Sequence, residues 1–154
     1  RLPHGHGGLG AADRQAIGRA LAATGLEGFA GRKVTALSGG ERARVAIARV
    51  LAGEPAAILA DEPIAALDAR YQLVVLDLLR AHARSGGAVL AVLHDLSLAA
   101  RFADRIVMLD RGRLVADDRP EAVLTEERLA ATFGIRAAIE RRDGRLVVTP
   151  LQPV

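Results

Sequence analysis

Three groups of residues have types and spacings suited to phosphate chemistry: Leu37-Ser38-Gly39-Gly40-Glu41, Asp61-Glu62-Pro63 and His94. Ser38 and Glu41, three positions apart, form a capping box, in which each side chain takes the other residue's amide. A cap alone leaves Gly39 and Gly40 unexplained, because glycine weakens a helix. Glycines there do let a phosphate approach free N–H groups at the positive end of the helix dipole. Capping and phosphate binding are compatible. Asp61 and Glu62 follow the apolar run Ala57-Ile58-Leu59-Ala60, and ligands of open α/β sheets bind at the carboxyl ends of strands. Two adjacent acids there can divide labour, one holding Mg²⁺ and the other orienting an attacking water. The plainer alternative is an acidic turn. His94 closes a second apolar run, Ala88 to Leu93, so its imidazole is placed to hydrogen-bond a γ-phosphate or the water. Asp68 reads as the N-cap of the helix after it.

The elements that position these groups alternate between helix and strand. Asp13 is expected to cap a helix running to about Thr24, with Ile17, Ala20, Leu21 and Ala23 as its apolar face and Gly25 as its stop. A second helix starts at Ser38 and carries Val45, Ile47, Ala48, Val50 and Leu51 to Gly53 and Pro55. Ala56–Ala60 and Ala88–Leu93 are continuous apolar runs, which suit strands covered on both faces of a parallel sheet. Between them Leu73, Leu76, Leu79 and Ala83 give a helix over 69–83 one buried face, and Gly86-Gly87 ends it. Asp95 caps a helix ending near Phe102. Asp110-Arg111-Gly112 predicts a hairpin between strands at 105–109 and 113–116. Short helices are expected over 120–133 and a small late strand over 145–148. Strands alternating with helices indicate an α/β sheet with crossovers.

Composition narrows the function classes. The chain has 154 residues, 51% of them hydrophobic, enough for one compact domain with a core. Its formal net charge is only +3, Lys33 is the single lysine among 21 basic residues, and aromatics make up 3%. Spread-out arginines with few aromatics argue against a single-strand nucleic-acid platform. Without cysteine, disulfides and thiolate metal sites are excluded. No apolar run reaches the roughly 20 residues that span a bilayer, so direct membrane insertion is not expected. His4 and His6 lack companion ligands and read as part of a Gly-rich loop over residues 1–12.

Leu37-Ser38-Gly39-Gly40-Glu41, then Asp61-Glu62-Pro63, then His94, in this order, resemble the signature, Walker B and switch segments of ABC transporter ATPases. The resemblance runs from about Arg1 to Ile135. It implies an α/β fold with a parallel-sheet, P-loop NTPase-like core, incomplete here, and part of a helical subdomain at the N-terminus. The implied division is about 1–53 for the helical subdomain with the signature, 54–118 for the catalytic core strands, and 119–154 for the C-terminal helices and tail. ATP and Mg²⁺ are the implied cofactors. Leu37, Ser38, Gly39, Gly40 and Glu41 would face ATP held mainly by an opposite subunit. Asp61 would hold the metal, Glu62 would orient the water, and His94 would sense the γ-phosphate. Asp68 matches the D-loop that crosses the dimer interface. Ile64 departs from the family, which usually has Thr or Ser at that position.

Within the family, Arg1-Leu2-Pro3-His4 and Leu93-His94-Asp95-Leu96-Ser97-Leu98-Ala99-Ala100-Arg101 resemble importers of iron–siderophore, haem and cobalamin. This implies a head-to-tail dimer with a second ATPase subunit, transmembrane permease partners, and a place on the cytoplasmic face of the bacterial inner membrane. DNA-repair ATPases of the family commonly lack the proline at Pro63. Translation-associated members usually have Asp-Arg after the histidine, where this chain has Asp95-Leu96. A non-catalytic remnant is the third alternative. The chain has no Gly-rich turn ending in Gly-Lys-Ser/Thr, the phosphate loop of this class. It therefore reads as the C-terminal portion of an ATPase, and alone it is expected to hydrolyse no ATP. The resemblance implies that the strand carrying that loop lies between the 88–93 and 105–109 strands. An open apolar edge there predicts poor solubility.

Overall fold

The helices that follow the candidate residues begin where a backbone amide finds a side-chain acceptor three positions away. In the computed structural model, which describes residues 8–154, α1 spans Ala11–Ala23. Its N-cap is Gly10. Asp13 sits three residues inside and takes the Gly10 amide on Oδ2 at 2.9 Å. The expected cap at Asp13 is thus corrected. An acid in the first turn serves by reaching back, and the helix starts earlier than its side-chain cap suggested. Helix α2 spans Gly39–Ala52 and α3 spans Ala69–Arg84. The resemblance residues Arg1 to His4, and with them His6, lie outside the described residues.

The chain divides into two compact units, one ending at Val92 and the other spanning Leu93–Val154. In the first, β1 (Ala57–Asp61) and β2 (Ala88–Val92) pair in parallel, with Leu59 opposite Leu90 and Asp61 opposite Val92. Helix α3 makes the crossover that a parallel pair requires and packs on β2. Helices α1 and α2 approach through small residues, with Ala20, Ala48 and Ala52 buried around Leu26. Both strands were expected to be covered on two faces, and here they are not. Ile58 is buried, whereas Leu59, Leu90 and Val92 are 80%, 60% and 51% exposed. Alternate residues of a strand point to opposite faces, and among the described residues helices cover only one of them.

The second unit is built around two hairpins. Helix α4 (Leu96–Phe102) is followed by β3 (Ile106–Asp110) and β4 (Arg113–Asp118), which pair antiparallel as Asp110-Arg111-Gly112 predicts. Helices α5 (Pro120–Val123) and α6 (Glu126–Phe133) come next. The late strand is longer than expected. It is β6 (Arg145–Pro153), paired with β5 (Ile135–Arg142), an element that the hydropathy pattern did not reveal. Val123, Leu124, Leu129, Ala137, Leu146 and Val148 form the core of this unit with Ala100 and Met108. Among the described residues, no helix is long and apolar enough to cross a membrane.

Candidate functional site: the signature turn and the carboxylate strand end

The start of α2 is a closed hydrogen-bonded ring. Ser38 Oγ accepts the Glu41 amide at 3.2 Å, and Glu41 Oε2 accepts the Ser38 amide at 2.7 Å. That second bond, followed by the Ser38 hydroxyl, holds the Glu41 carboxyl below its ordinary value; Arg32 and Arg44 add smaller pulls in the same direction. Arg42 Nη1 donates to the Leu37 carbonyl at 2.9 Å, fixing the peptide just before the cap. The helix ladder supplies no acceptor for the first amides of a helix, which here are those of Gly39 and Gly40.

Neither glycine is required by the fold. A methyl group built on Gly39 would meet nothing within 4 Å. One on Gly40 would stand 3.5 Å from the Ala66 carbonyl oxygen, an ordinary contact. Both lie inside α2, where alanine is the better residue, so packing and backbone conformation leave them unexplained.

The carboxylates stand at the end of β1. Asp61 is its last residue and is exposed. Glu62 continues the pairing by one residue, its amide donating to the Val92 carbonyl at 3.2 Å. Glu62 then turns left-handed, at φ 45°. A glutamate there is uncommon, and such strain concentrates where a backbone must aim a functional side chain. Pro63 leads into a turn closed by Ala65 N–H to Glu62 O and Leu67 N–H to Ile64 O, both 3.2 Å. Ile64 is buried and takes the apolar place under this turn, and its carbonyl accepts Gln72 Nε2 at 3.3 Å. Asp68 ends the turn as the N-cap of α3, with Oδ1 accepting the Tyr71 amide at 3.0 Å.

Between α2 and β1 lies a cavity of about 250 Å³, lined by Ile47, Val50, Leu59 and Leu79, with Asp61 and Glu62 at its rim. The first unit thus assembles the signature turn, the carboxylate pair and Asp68. His94 belongs to the second unit, exposed just before α4, which Asp95 caps by accepting the Leu98 amide at 2.8 Å. Among the described residues, no three His, Cys, Asp or Glu side chains cluster as a ready-made metal site. A lone exposed Asp61 suits Mg²⁺, which takes one or two carboxylates and fills its other positions with waters and substrate phosphates. Sequence reasoning missed Arg42 and Arg44. The available signal was spacing, since Arg44, Ala48 and Ala52 form the buried stripe of α2.

The ABC transporter family matches residues 5–65. The hemin import ATP-binding protein HmuV of Streptomyces coelicolor is 47% identical over 152 residues, covering 97% of this chain and 54% of that protein. Across nearly its whole length the chain is similar to ATP-binding proteins of ABC transporters. HmuV of Rhodococcus jostii is 53% identical over 122 residues, covering 79% of this chain and 42% of the relative. The chain therefore spans about half the length of the curated relatives it matches. A solved inward-facing metal-chelate type ABC transporter superposes with a TM-score of 0.80 at 28% identity, covering 96% of this chain and 60% of that one. A dimeric ATP-binding cassette bound to ADP and Pi gives 0.65 at 36% identity, covering 75% and 51%. The chain has the α/β architecture expected from its motifs.

Proposed function

We propose that this protein hydrolyses ATP to drive import of a metal chelate, haem foremost, with iron–siderophore and cobalamin as the related cargoes. One observation carries the reading: Gly39 and Gly40 are not required by the helix they begin. In the proposed arrangement, Ser38 and the two glycine amides bind the γ-phosphate of ATP held by a second subunit packed head to tail. Leu37 and Glu41 fix that turn through the Arg42 contact and the capping ring. Asp61 holds Mg²⁺, which supplies charge neutralisation at the phosphates when bound. Glu62, aimed by its left-handed backbone, takes the proton of the attacking water. His94 reads the γ-phosphate, and Asp68 lies at the subunit interface.

Residues 1–53 then serve as the signature-bearing helical subdomain, 54–118 as catalytic core strands and 119–154 as the C-terminal helices and tail. Transmembrane permease subunits are the further partners, on the cytoplasmic face of the bacterial inner membrane. Support comes from the named activity of the hemin-import relatives and from the metal-chelate type of the superposing transporter. The test is haem uptake and Mg²⁺-dependent ATP hydrolysis by the full gene product, reconstituted with its permease in proteoliposomes. Glu62→Gln is expected to lower turnover about a thousandfold, as loss of a general base does. Turnover unaffected by Glu62→Gln, or ATP hydrolysis that no metal chelate stimulates, would refute the reading.

A further inference from the structure

Arg44 is the one buried charged residue among those described; Thr24 is the only other buried polar residue. Its place in the stripe with Ala48 and Ala52 belongs by pattern to a small apolar side chain. Burying a guanidinium is costly unless it finds partners, and here two carbonyls and an aromatic ring take it up. Nη1 donates to the Thr24 carbonyl at 3.0 Å and the Gly25 carbonyl at 3.1 Å. The guanidinium carbon lies 3.8 Å from the centroid of the Tyr71 ring, a cation–π stack that strengthens away from water. Gly25 makes room for both groups. A Cβ there would stand 3.4 Å from Arg44 Nη1 and 3.7 Å from Tyr71 Cε1, on a backbone at φ +64°.

These contacts join the two turns of the site. Arg44 stands one helical turn beyond Gly40 on α2, and a Cβ on Gly40 would lie 3.5 Å from the Ala66 carbonyl oxygen. Tyr71, beneath the guanidinium, is the residue whose amide Asp68 captures. Gln72, beside it, holds the Ile64 carbonyl. The starts of α2 and α3 are therefore bolted together one turn inside their caps, and the end of α1 closes the bolt through Thr24, whose hydroxyl donates to the Ala20 carbonyl at 2.8 Å. We propose that Arg44 is a positioning residue that acts through Tyr71 to hold the Asp68 turn in fixed relation to the Ser38–Gly40 turn. Its catalytic consequence rests on the proposed ATPase function: γ-phosphate contact at one turn and the interface residue at the other move as one body. A closure felt at Ser38 is then felt at Asp68.

The experiment uses the full gene product with Tyr71→Phe, Tyr71→Leu and Arg44→Lys, read by amide hydrogen exchange and by ATPase kinetics. Tyr71→Phe keeps the ring and is expected to match the wild type in both. Tyr71→Leu and Arg44→Lys are expected to speed exchange about tenfold over both 38–42 and 65–71, as local opening becomes easier. They should lower kcat about tenfold and leave KM for ATP within about twofold, the pattern for an interaction made only in the transition state. Faster exchange at 65–71 alone would overturn the coupling, as would a Tyr71→Phe defect equal to that of Tyr71→Leu. Should Tyr71→Leu fail to fold, Arg44→Lys decides by the same two segments. A wild type without ATP hydrolysis would refute the functional reading, while the exchange data would still decide whether the bolt exists.

Discussion

Helices α2 and α3 begin in similar ways, α2 with the added return bond from Glu41, and differ most in the residues that follow the cap. Each has a capping side chain that accepts the amide three residues on, Ser38 from Glu41 and Asp68 from Tyr71. Each cap is preceded by a tight turn, and both helices bury an apolar stripe. Helix α3 then continues with Ala69-Arg70, as helix propensity favours. Helix α2 continues with Gly39-Gly40, against that propensity and with no steric demand inside the chain. A cap suffices to start a helix. On the proposed function the glycines of α2 answer to a phosphate outside the helix, and the start of α3, which lacks them, serves as the control.

The largest expected effect lies at the glycines. In the full gene product, Gly39→Ala and Gly40→Ala should each lower ATP turnover about a hundredfold, the scale of losing preorganised N–H donors at a developing charge. Thermal unfolding should show unchanged or higher stability, by up to about 1 kcal/mol. A stable variant with wild-type turnover would make α2 an ordinary helix start and abolish the contrast with α3. The caps come next: Ser38→Ala and Asp68→Ala should each cost about 1 kcal/mol in chemical denaturation. Ser38→Ala should lower turnover beyond what its stability loss explains, whereas Asp68→Asn should keep the cap. Equal turnover losses for Ser38→Ala and Asp68→Asn would erase the distinction between the two helix starts.

Smaller effects sharpen it further. Ala69→Gly, which gives α3 one of the two glycines that follow the α2 cap, should destabilise by about 0.5–1 kcal/mol and gain no phosphate affinity. The smallest concerns acid. The folded-state pKa of Glu41 lies below its ordinary value of 4.5, so its contribution to the α2 cap is fully present above that ordinary value. It is lost as the pH falls through the lowered one. Exchange of the Ser38 amide, corrected for intrinsic rate, should stay protected near neutrality and accelerate only in acid. Loosening on raising the pH instead would show the ring is not held by the carboxylate.

Much of the site was legible because it is local. Ser38 and Glu41, Asp68 and Tyr71, and Asp95 and Leu98 all bond across three residues, and such pairs depend on side-chain reach along one strand of backbone. The order of the three motifs was legible for the same reason. Asp13 was misread within that local range, since an acid at a helix start serves as cap or as first-turn partner, and only the position of Gly10 distinguishes them. Strand β5 escaped because Ile135-Arg136-Ala137-Ala138-Ile139-Glu140-Arg141-Arg142 alternates weakly and follows Gly134 without a loop. It buries Ala137 because β6 and α6 are there to cover it.

By itself, the sequence determined where α2, α3 and α4 start and that Asp61 and Glu62 stand at the end of β1, because those follow from backbone amides and their nearest side chains. Tertiary structure alone decided the rest. It showed that Leu59 and Leu90 share a face left open, and that Gly39 and Gly40 are under no packing demand. It showed Ser97 bonded to the Val148 backbone across 51 residues, tying α4 to β6. It also showed a buried arginine joining α2, Tyr71 and the Thr24 carbonyl. Such contacts join residues far apart along the chain. Which partners meet, and which faces stay bare, is set by how whole elements pack, and residue spacing within one element does not encode it.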